Sequence, residues 1–390
     1  MSKINHGSEN MIYIVRYENK ILCFYHDGKN IMLKHNNTAS VIFNDARRDY
    51  SINISSGQLN LFCQNNFGNI FLCTYKNNNW QRKIILQNQF NYPLRIYPLI
   101  DKNNFSLLYN MPANKNNFYL VINKLKENRW QPSIKIDELY GLQNFCVQRI
   151  SDNHILVFYM TKTDAINLGY REITSTRQSD FHLIHSPYYK ITDTAFLTTN
   201  DSIHILYTVK NMFTKQIVYC KKQAHLSKPM VLFENPNITN NLLFIVKNEL
   251  YALWTVNEKI YIAVSKDNGF TFHNPIVSGE SFINIQKAVY LSDELMHEEN
   301  FFYREIYVDK NNPWQIKLDI QKNFAHTNNL PKPPKTSNEI INKLKNQLEM
   351  KERQLAEKNN QILNLTNLLK NKNDEIISLC SEKKSKKINP

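Results

Sequence analysis

Residues 265–272, SKDNGFTF, gather a carboxylate, two hydroxyls and a glycine within one short stretch. Side chains of this kind act first on their own backbone. Ser265, Asp267 and Thr271 suit hydrogen bonds to local backbone groups, Gly269 suits a positive φ, and Phe272 suits packing between strands. The six cysteines Cys23, Cys63, Cys73, Cys146, Cys220 and Cys380 are the next candidates for chemistry. They form no CxxC pair, and five lie in apolar, strand-like runs, where a reduced cysteine behaves as a small hydrophobe. This usage implies a reducing compartment, no metal and no cofactor, with Cys63 and Cys73 placed to face each other across a hairpin. A retaining glycosidase needs two carboxyl groups about 5–5.5 Å apart. Such a pair is a property of a fold, not of spacing along a chain, and no catalytic residue is assigned.

The elements that position these residues are strands. Short apolar runs end at Cys63, Tyr109, Tyr159, Tyr207 and Trp254, at intervals of 46, 50, 48 and 47 residues. A period in the forties carried by strands indicates a β-propeller. Each run is preceded by one apolar run and followed by a third and a weaker fourth, the content of one four-stranded blade. Two further sets, near residues 11–43 and 285–320, bring the expected count to seven blades over 11–320. Six is the alternative, if one terminal set serves another purpose. No strand exchange between the ends is evident, so closure is expected from side-chain packing between the first and last blades. The 21 Tyr and 21 Phe suit half-buried β surface.

SKDNGFTF falls between the third and fourth strands of the sixth set, and it fits Ser-x-Asp-x-Gly-x-Thr-aromatic. It resembles the Asp-box, or neuraminidase repeat, of sialidase-like propellers. Partial versions stand at the corresponding place in three other sets: TYKNNNWQ with Trp80, KENRWQP with Trp130 and DKNNPWQI with Trp314. The resemblance implies a propeller. In its sialidases, three arginines bind the substrate carboxylate, a glutamate-activated tyrosine is the nucleophile and an aspartate the acid–base. One arginine there belongs to an Arg-Ile-Pro motif near the first blade. The nearest string here is RIYPL, at Arg95, with an inserted tyrosine and in the third set. Arg16 and Arg149 also lie on inner-strand candidates, without a motif around them. Arg16, Arg95 and Arg149 are therefore kept as ligand-face arginines, with ion pairing between blades as their ordinary role.

Past residue 320 the pattern changes. Residues 321–336 form a proline-bearing linker, and Thr336 with Glu339 form a capping box that opens a helix over 337–380. Ile341, Leu348, Leu355, Ile362, Leu369 and Ile376 recur every seven residues. With these at a, the d positions are Leu344, Lys351, Lys358, Leu365, Lys372 and Leu379. Such a seam predicts a coiled coil and a homo-oligomer. Residues 381–390 are a basic, disordered tail.

The chain carries a net charge of +14. Residues 331–390 hold 13 Lys plus Arg against 7 Asp plus Glu, which leaves +6 there and +8 spread over the first 330. A nucleic-acid binder concentrates its charge, so none is expected as a partner. No apolar run is long enough to span a bilayer, and the N-terminus lacks a secretory signal. A cytoplasmic location follows, with assembly onto a spore or surface layer compatible with it. The sequence thus points to a binding or scaffold propeller, not a catalyst, with a protein or glycan target. A sialidase-like exo-glycosidase is the alternative.

Overall fold

In the computed structural model, the five apolar runs become the second strands of five successive sheets. Their alternating side chains are buried on both faces. The structure describes residues 11–318, apart from short segments of which 293–300 is the longest, together with positions 358, 365, 366 and 372.

The first six sets are up-and-down meanders. The first comprises β1 (Tyr13–Tyr17), β2 (Lys20–His26), β3 (Ile31–His35) and β4 (Thr38–Phe43). The second comprises β5 (Ala46–Ser55), β6 (Gln58–Asn65), β7 (Ile70–Lys76) and β8 (Asn79–Leu86). The third is β9 (Ile96–Asp101), β10 (Asn104–Pro112) and β11 (Asn117–Lys126), with β12 (Arg129–Trp130) and β13 (Ile134–Tyr140) sharing the outer edge. The fourth is β14 (Phe145–Ser151), β15 (His154–Lys162), β16 (Ile166–Thr174) and β17 (His182–His185). The fifth is β18 (Lys190–Thr198), β19 (Ile203–Lys210), β20 (Lys215–Lys222) and β21 (Met230–Glu234). The sixth is β22 (Ile238–Val246), β23 (Glu249–Val256), β24 (Lys259–Ser265) and β25 (Ile276–Ser281). Last come β26 (Ile285–Ser292), β27 (Phe301–Tyr303), β28 (Glu305–Asp309) and β29 (Ile316–Leu318).

Apolar clusters fill the spaces between consecutive sets. Phe24 and Phe43 meet Tyr50 and Leu61; Phe62 meets Leu107; Leu120 meets Val157; Phe158 meets Phe196; Leu206 meets Trp254. The sixth set contacts the last, and β26 contacts β5, so the sheets close into a ring. The architecture is an all-β propeller.

The ends of the ring do not close as expected. The last strands do not make a seventh separate sheet, and the described residues form six sheets. β26 runs parallel to β1, pairing Tyr13 with Val289 and Arg16 with Ser292, so first and last sets share one seven-stranded sheet. The physical reason is the inner edge of β1. Left bare, it would present a row of unpaired N–H and C=O groups, and backbone pairing satisfies them where side-chain packing would not. The last set also lacks a second strand of its own. β27, from that stretch, instead pairs with the inner edge of β22.

This omission reverses the phase of the remaining strands. In the sixth set the turn after the third strand lies at the finishing end of the inner strand, where Ser265 opposes Leu250 and Val246 opposes Glu249. In the last set β28 pairs directly with β26, and Asp309 opposes Ile285. The DKNNPWQI turn therefore lies at the starting end of the inner strands, which we call the upper face. It joins the second and third strands of its sheet segment, not the third and fourth.

Tyr159 and Tyr207, at equivalent repeat positions, both reach back to the preceding set. Tyr159 donates to Asp137 Oδ2 (2.7 Å), while the Tyr207 hydroxyl lies 2.6 Å from His185 Nδ1. Arg171 completes the first contact, donating to Tyr159 Oη (2.9 Å), Asp137 Oδ2 (3.1 Å) and the Ser179 carbonyl (2.6 Å). Arg171→Ala is expected to destabilise the fold by about 2 kcal/mol. That is below the usual cost of breaking a fully buried pair, because the Arg171 and Asp137 side chains keep 20% and 24% exposure. Tyr159→Phe should cost about 1 kcal/mol. Denaturant midpoints measure both; an unchanged midpoint in Arg171→Ala would refute the lock.

Residues 330–390 form a second unit. The linker, the heptad seam as a whole, the basic tail and Cys380 lie outside the described residues. Lys358, Leu365, Thr366 and Lys372 are described, and each is helical and exposed.

Candidate functional site

The inner strands do not run smoothly at their starting ends. Register shifts interrupt β5 between Ala46 and Tyr50, β18 between Ile191 and Asp193, and β22 between Thr239 and Leu242. Such bulges re-aim side chains at the rims of closed β structures. Here they lie beside a charged group on the ring axis. Lys287 Nζ of β26 donates to Asp193 Oδ1 of β18 (2.9 Å) and to the Thr194 carbonyl (2.9 Å), and stands 3.8 Å from Glu305 Oε1. Asp193 Oδ2 accepts the Asn241 backbone N–H at 2.6 Å. From β28's leading end Arg304 reaches the Arg149 carbonyl of β14 at 2.9 Å.

Burial raises the Glu305 carboxyl, against the lowering pull of Lys287. It raises Asp49 too, with Arg95 opposing. Tyr97 is raised by burial, and its charged neighbours Arg304 and Arg149 pull the other way. Burial likewise pushes the Cys146 thiol up to about 11. A thiol in that state is protonated at neutral pH and inert.

Of the three ligand-face arginines, the fold brings two to this group. Arg95 lies beside Asp49 electrostatically, with its guanidinium 5.6 Å from the Phe145 ring. Arg149 joins Tyr97 and Arg304. Arg16 sits half-buried on β1, opposite Ile21 and Ser292. Asp49, Asp193, Lys287, Arg304 and Glu305 were not singled out from sequence. For Asp49, Asp193 and Lys287 the available signal was a charged side chain near the start of an inner strand; Arg304 and Glu305, at the start of β28, had none.

A cavity of about 580 Å³ opens on the upper face, next to this group. It lies where β1, β2, β22 and β26 meet the turn after β28, and Tyr25, Asn240, Gln286, Asn311 and Trp314 line it. Gln286 and Lys287 are neighbours on β26, so they point to opposite faces of the strand, the first to the cavity and the second to the axis. Asp309 shapes the turn by accepting the Asn311 and Asn312 backbone N–H groups at 2.8 and 2.9 Å.

The four aromatic residues that close these turns are not equivalent. Trp80 packs on Phe24 of the preceding set, Trp130 donates to the Ile85 carbonyl, and Phe272 meets Tyr219 edge-on at 4.8 Å. Trp314 instead faces Tyr25 of the first set at 6.2 Å, with Lys34 Nζ 3.3 Å from its ring centre.

SKDNGFTF itself is a self-contained turn, far from the cavity along the inner strand. Ser265 Oγ donates to Asp267 Oδ1 (2.7 Å) and accepts the Gly269 N–H (2.7 Å). Thr271 gives its N–H to Asp267 Oδ1 (2.8 Å) and its hydroxyl to Oδ2 (2.6 Å). These bonds hold the Asp267 carboxyl well below the usual range. Both hydroxyl donors are spent within the turn.

Cys63 and Cys73 lie diagonally across β6 and β7, opposite Phe71 and Leu61 respectively. Among the described residues no cluster of His, Cys, Asp and Glu could hold a metal. No described helix is long and apolar enough to cross a membrane.

No protein family profile and no curated protein matches the chain. Solved structures resemble it in the path of the strands. The Aleuria aurantia lectin, described as a six-bladed β-propeller with a novel fucose recognition mode, is 10% identical, covering 68% of this chain and 95% of its own with a TM-score of 0.42. AofleA from Arthrobotrys oligospora is 11% identical over 70% of this chain and 86% of its own, with a TM-score of 0.42. The N10 neuraminidase-like protein of a little yellow-shouldered bat influenza virus is 11% identical over 68% and 94%, with a TM-score of 0.41. Likeness at this level says nothing about function.

Proposed function

We propose that the chain is a non-catalytic binding propeller for a glycan or protein, made multivalent by its C-terminal heptads. One observation carries the reading: the axial charges satisfy one another. Lys287 is bound by a carboxylate and a carbonyl and approaches a second carboxylate, so the Asp193–Glu305 pair is clamped around an ammonium. A glycosidase pair must instead flank the bond it breaks. Burial raises Glu305 in the direction a general acid needs, but the Lys287 ammonium stands against both carboxylates, 2.9 Å from Asp193 Oδ1 and 3.8 Å from Glu305 Oε1.

The hydrolase reading has one observation in its favour. Three arginines, a tyrosine and carboxylates do gather near the axis. The charged neighbours of Tyr97 there are Arg304 and Arg149, however, and not a glutamate that would activate it. Oligomerisation adds avidity without tighter single sites. Light scattering should give the full chain a multiple of the monomer mass and a chain ending near residue 330 the monomer mass. Equal monomeric masses would remove the multivalency. Release of a fluorogenic sialoside, abolished by Arg95→Ala, would overturn the non-catalytic reading.

A further inference from the structure

The cavity beneath Trp314 is an open cleft, and its existence stems from the phase reversal of the last set. At about 580 Å³ it falls within the usual range for ligand pockets, roughly 300–1,000 Å³. Tyr25 and Trp314, with ring planes 48° apart, make an angled apolar wall. The amides of Asn240, Gln286 and Asn311 line it with them, and an amide carries a donor pair and an acceptor. Asn240 Nδ2 already donates to the Thr255 hydroxyl and the Ile285 carbonyl, which leaves its oxygen as the ligand-facing group.

Asp27 and His26 at the rim are engaged by the protein, and Lys310 adds an exposed ammonium to the lining. Asp27 Oδ1 accepts the Lys29 and Asn30 backbone N–H groups at 2.8 and 2.7 Å, and Oδ2 accepts Asn30 Nδ2 at 3.2 Å. His26 Nδ1 accepts the Gly28 N–H (3.0 Å), so its Nε2 carries the proton that meets the Ala46 carbonyl (3.0 Å). Lys34 Nζ stands over the centre of the Trp314 ring at 3.3 Å, so a ligand meets the indole on its other face or edge. Among the described residues no arginine lines the cavity, so they supply no bidentate clamp for a carboxylate or phosphate.

The site is also built in advance. Asn240 sits in the β22 bulge at φ 55°, a conformation that few non-glycine residues adopt. Its backbone carbonyl accepts the Tyr307 hydroxyl, and its Nδ2 reaches the Thr255 hydroxyl at 3.3 Å. Left-handed residues in bulges concentrate where function fixes them.

We infer that this cavity is the ligand site and that it takes a neutral saccharide, an inference that rests on the binding reading above. The C–H face of a sugar ring packs on the Tyr25–Trp314 wall, and its hydroxyls exchange hydrogen bonds with Gln286 and Asn311 and donate to the Asn240 side-chain oxygen. Amides facing aromatic carbon match a polyol, and among the described residues no guanidinium lines the cavity to clamp a carboxylate.

The test is an array of neutral and sialylated oligosaccharides probed with the full chain, followed by calorimetric titration of those bound. Neutral oligosaccharides should bind. Gln286→Ala should weaken them about tenfold with an unchanged melting temperature, as expected for loss of one or two hydrogen bonds from a half-buried side chain. Trp314→Ala should abolish binding, and Trp314→Phe should retain part of it. If neutral sugars bind with equal affinity to Gln286→Ala and Trp314→Phe, the site is elsewhere, while the binding reading stands. Recognition of sialylated sugars alone, lost in Arg95→Ala, would make both the site and the ligand class wrong. If neither class of sugar binds, the inference is overturned, and the mass and hydrolase measurements then decide the broader reading independently.

Discussion

Replacing Gly269 by alanine is expected to destabilise the folded chain by roughly 3–4 kcal/mol. The residue sits at φ 87°, where an L side chain costs about 1–2 kcal/mol. A Cβ there would also lie 1.9 Å from Tyr219 Oη and 2.8 Å from its Cζ. Tyr219 cannot swing aside. It is 1% exposed, its hydroxyl is held 2.7 Å from His204 Nδ1, and Phe272 packs edge-on against its ring. Overpacking a rigid site adds about 1–3 kcal/mol. Asn268→Gly, one position earlier and also at positive φ (56°), should be neutral or slightly stabilising. Adding Tyr219→Phe to Gly269→Ala should restore part of the loss, since it removes the closest atom; strict additivity would show that the hydroxyl is not the obstacle. Denaturant midpoints of five proteins decide it: the parent, Gly269→Ala, Asn268→Gly, Tyr219→Phe and the Gly269→Ala/Tyr219→Phe double variant.

This geometry also shows what kind of information the sequence carried. The second strands were legible because each is buried on both faces and ends in a large residue such as Tyr159, Tyr207 or Trp254. Continuous apolarity of that kind survives any detail of packing. The turn at residues 265–272 was legible because its hydrogen bonds are local. The axial group was not, since Asp193 and Lys287 are 94 residues apart and meet only when the ring closes. The bulges that help to aim such side chains also break the alternation by which an inner strand would be recognised. Most hidden was the closure. Residues 304–308 read as an ordinary third strand, yet they take a second strand's place because the preceding segment has paired with β22. That single displacement carries Trp314 from the packing position of Trp80 and Trp130 to the wall of a cavity. A residue type was visible in the sequence; the face it would occupy depended on a strand swap without a local signature.

Lowering the pH from 7 to 4 should remove about 3 kcal/mol of stability through His204 alone. The imidazole is fully buried, with Tyr219 Oη at 2.7 Å from Nδ1 and Ser202 Oγ at 3.0 Å from Nε2. Burial, reinforced by Lys221, lowers its pKa to about 4 from an unperturbed 6.5. The unfolded chain takes up a proton near pH 6.5 that the folded chain refuses until about pH 4. The unfolded state therefore binds more protons throughout this window, and stability falls as pH falls through it, by about 1.4 kcal/mol per unit in the steepest part. Above pH 7 both states are neutral and the effect vanishes. Asp267 acts in a different window: its lowered pKa gives stability that is full above the ordinary carboxylate range and is lost only below it. His185, lowered in the same direction by burial, contributes alongside His204. The decisive comparison is therefore a difference. His204→Gln, which keeps a polar group between Ser202 and Tyr219, should flatten the dependence of the denaturant midpoint between pH 7 and 4 while leaving the loss that Asp267 contributes below the ordinary carboxylate range. Parallel curves for the two proteins would mean that His204 is protonated in the folded state and that the Ser202–His204–Tyr219 chain accommodates the charge.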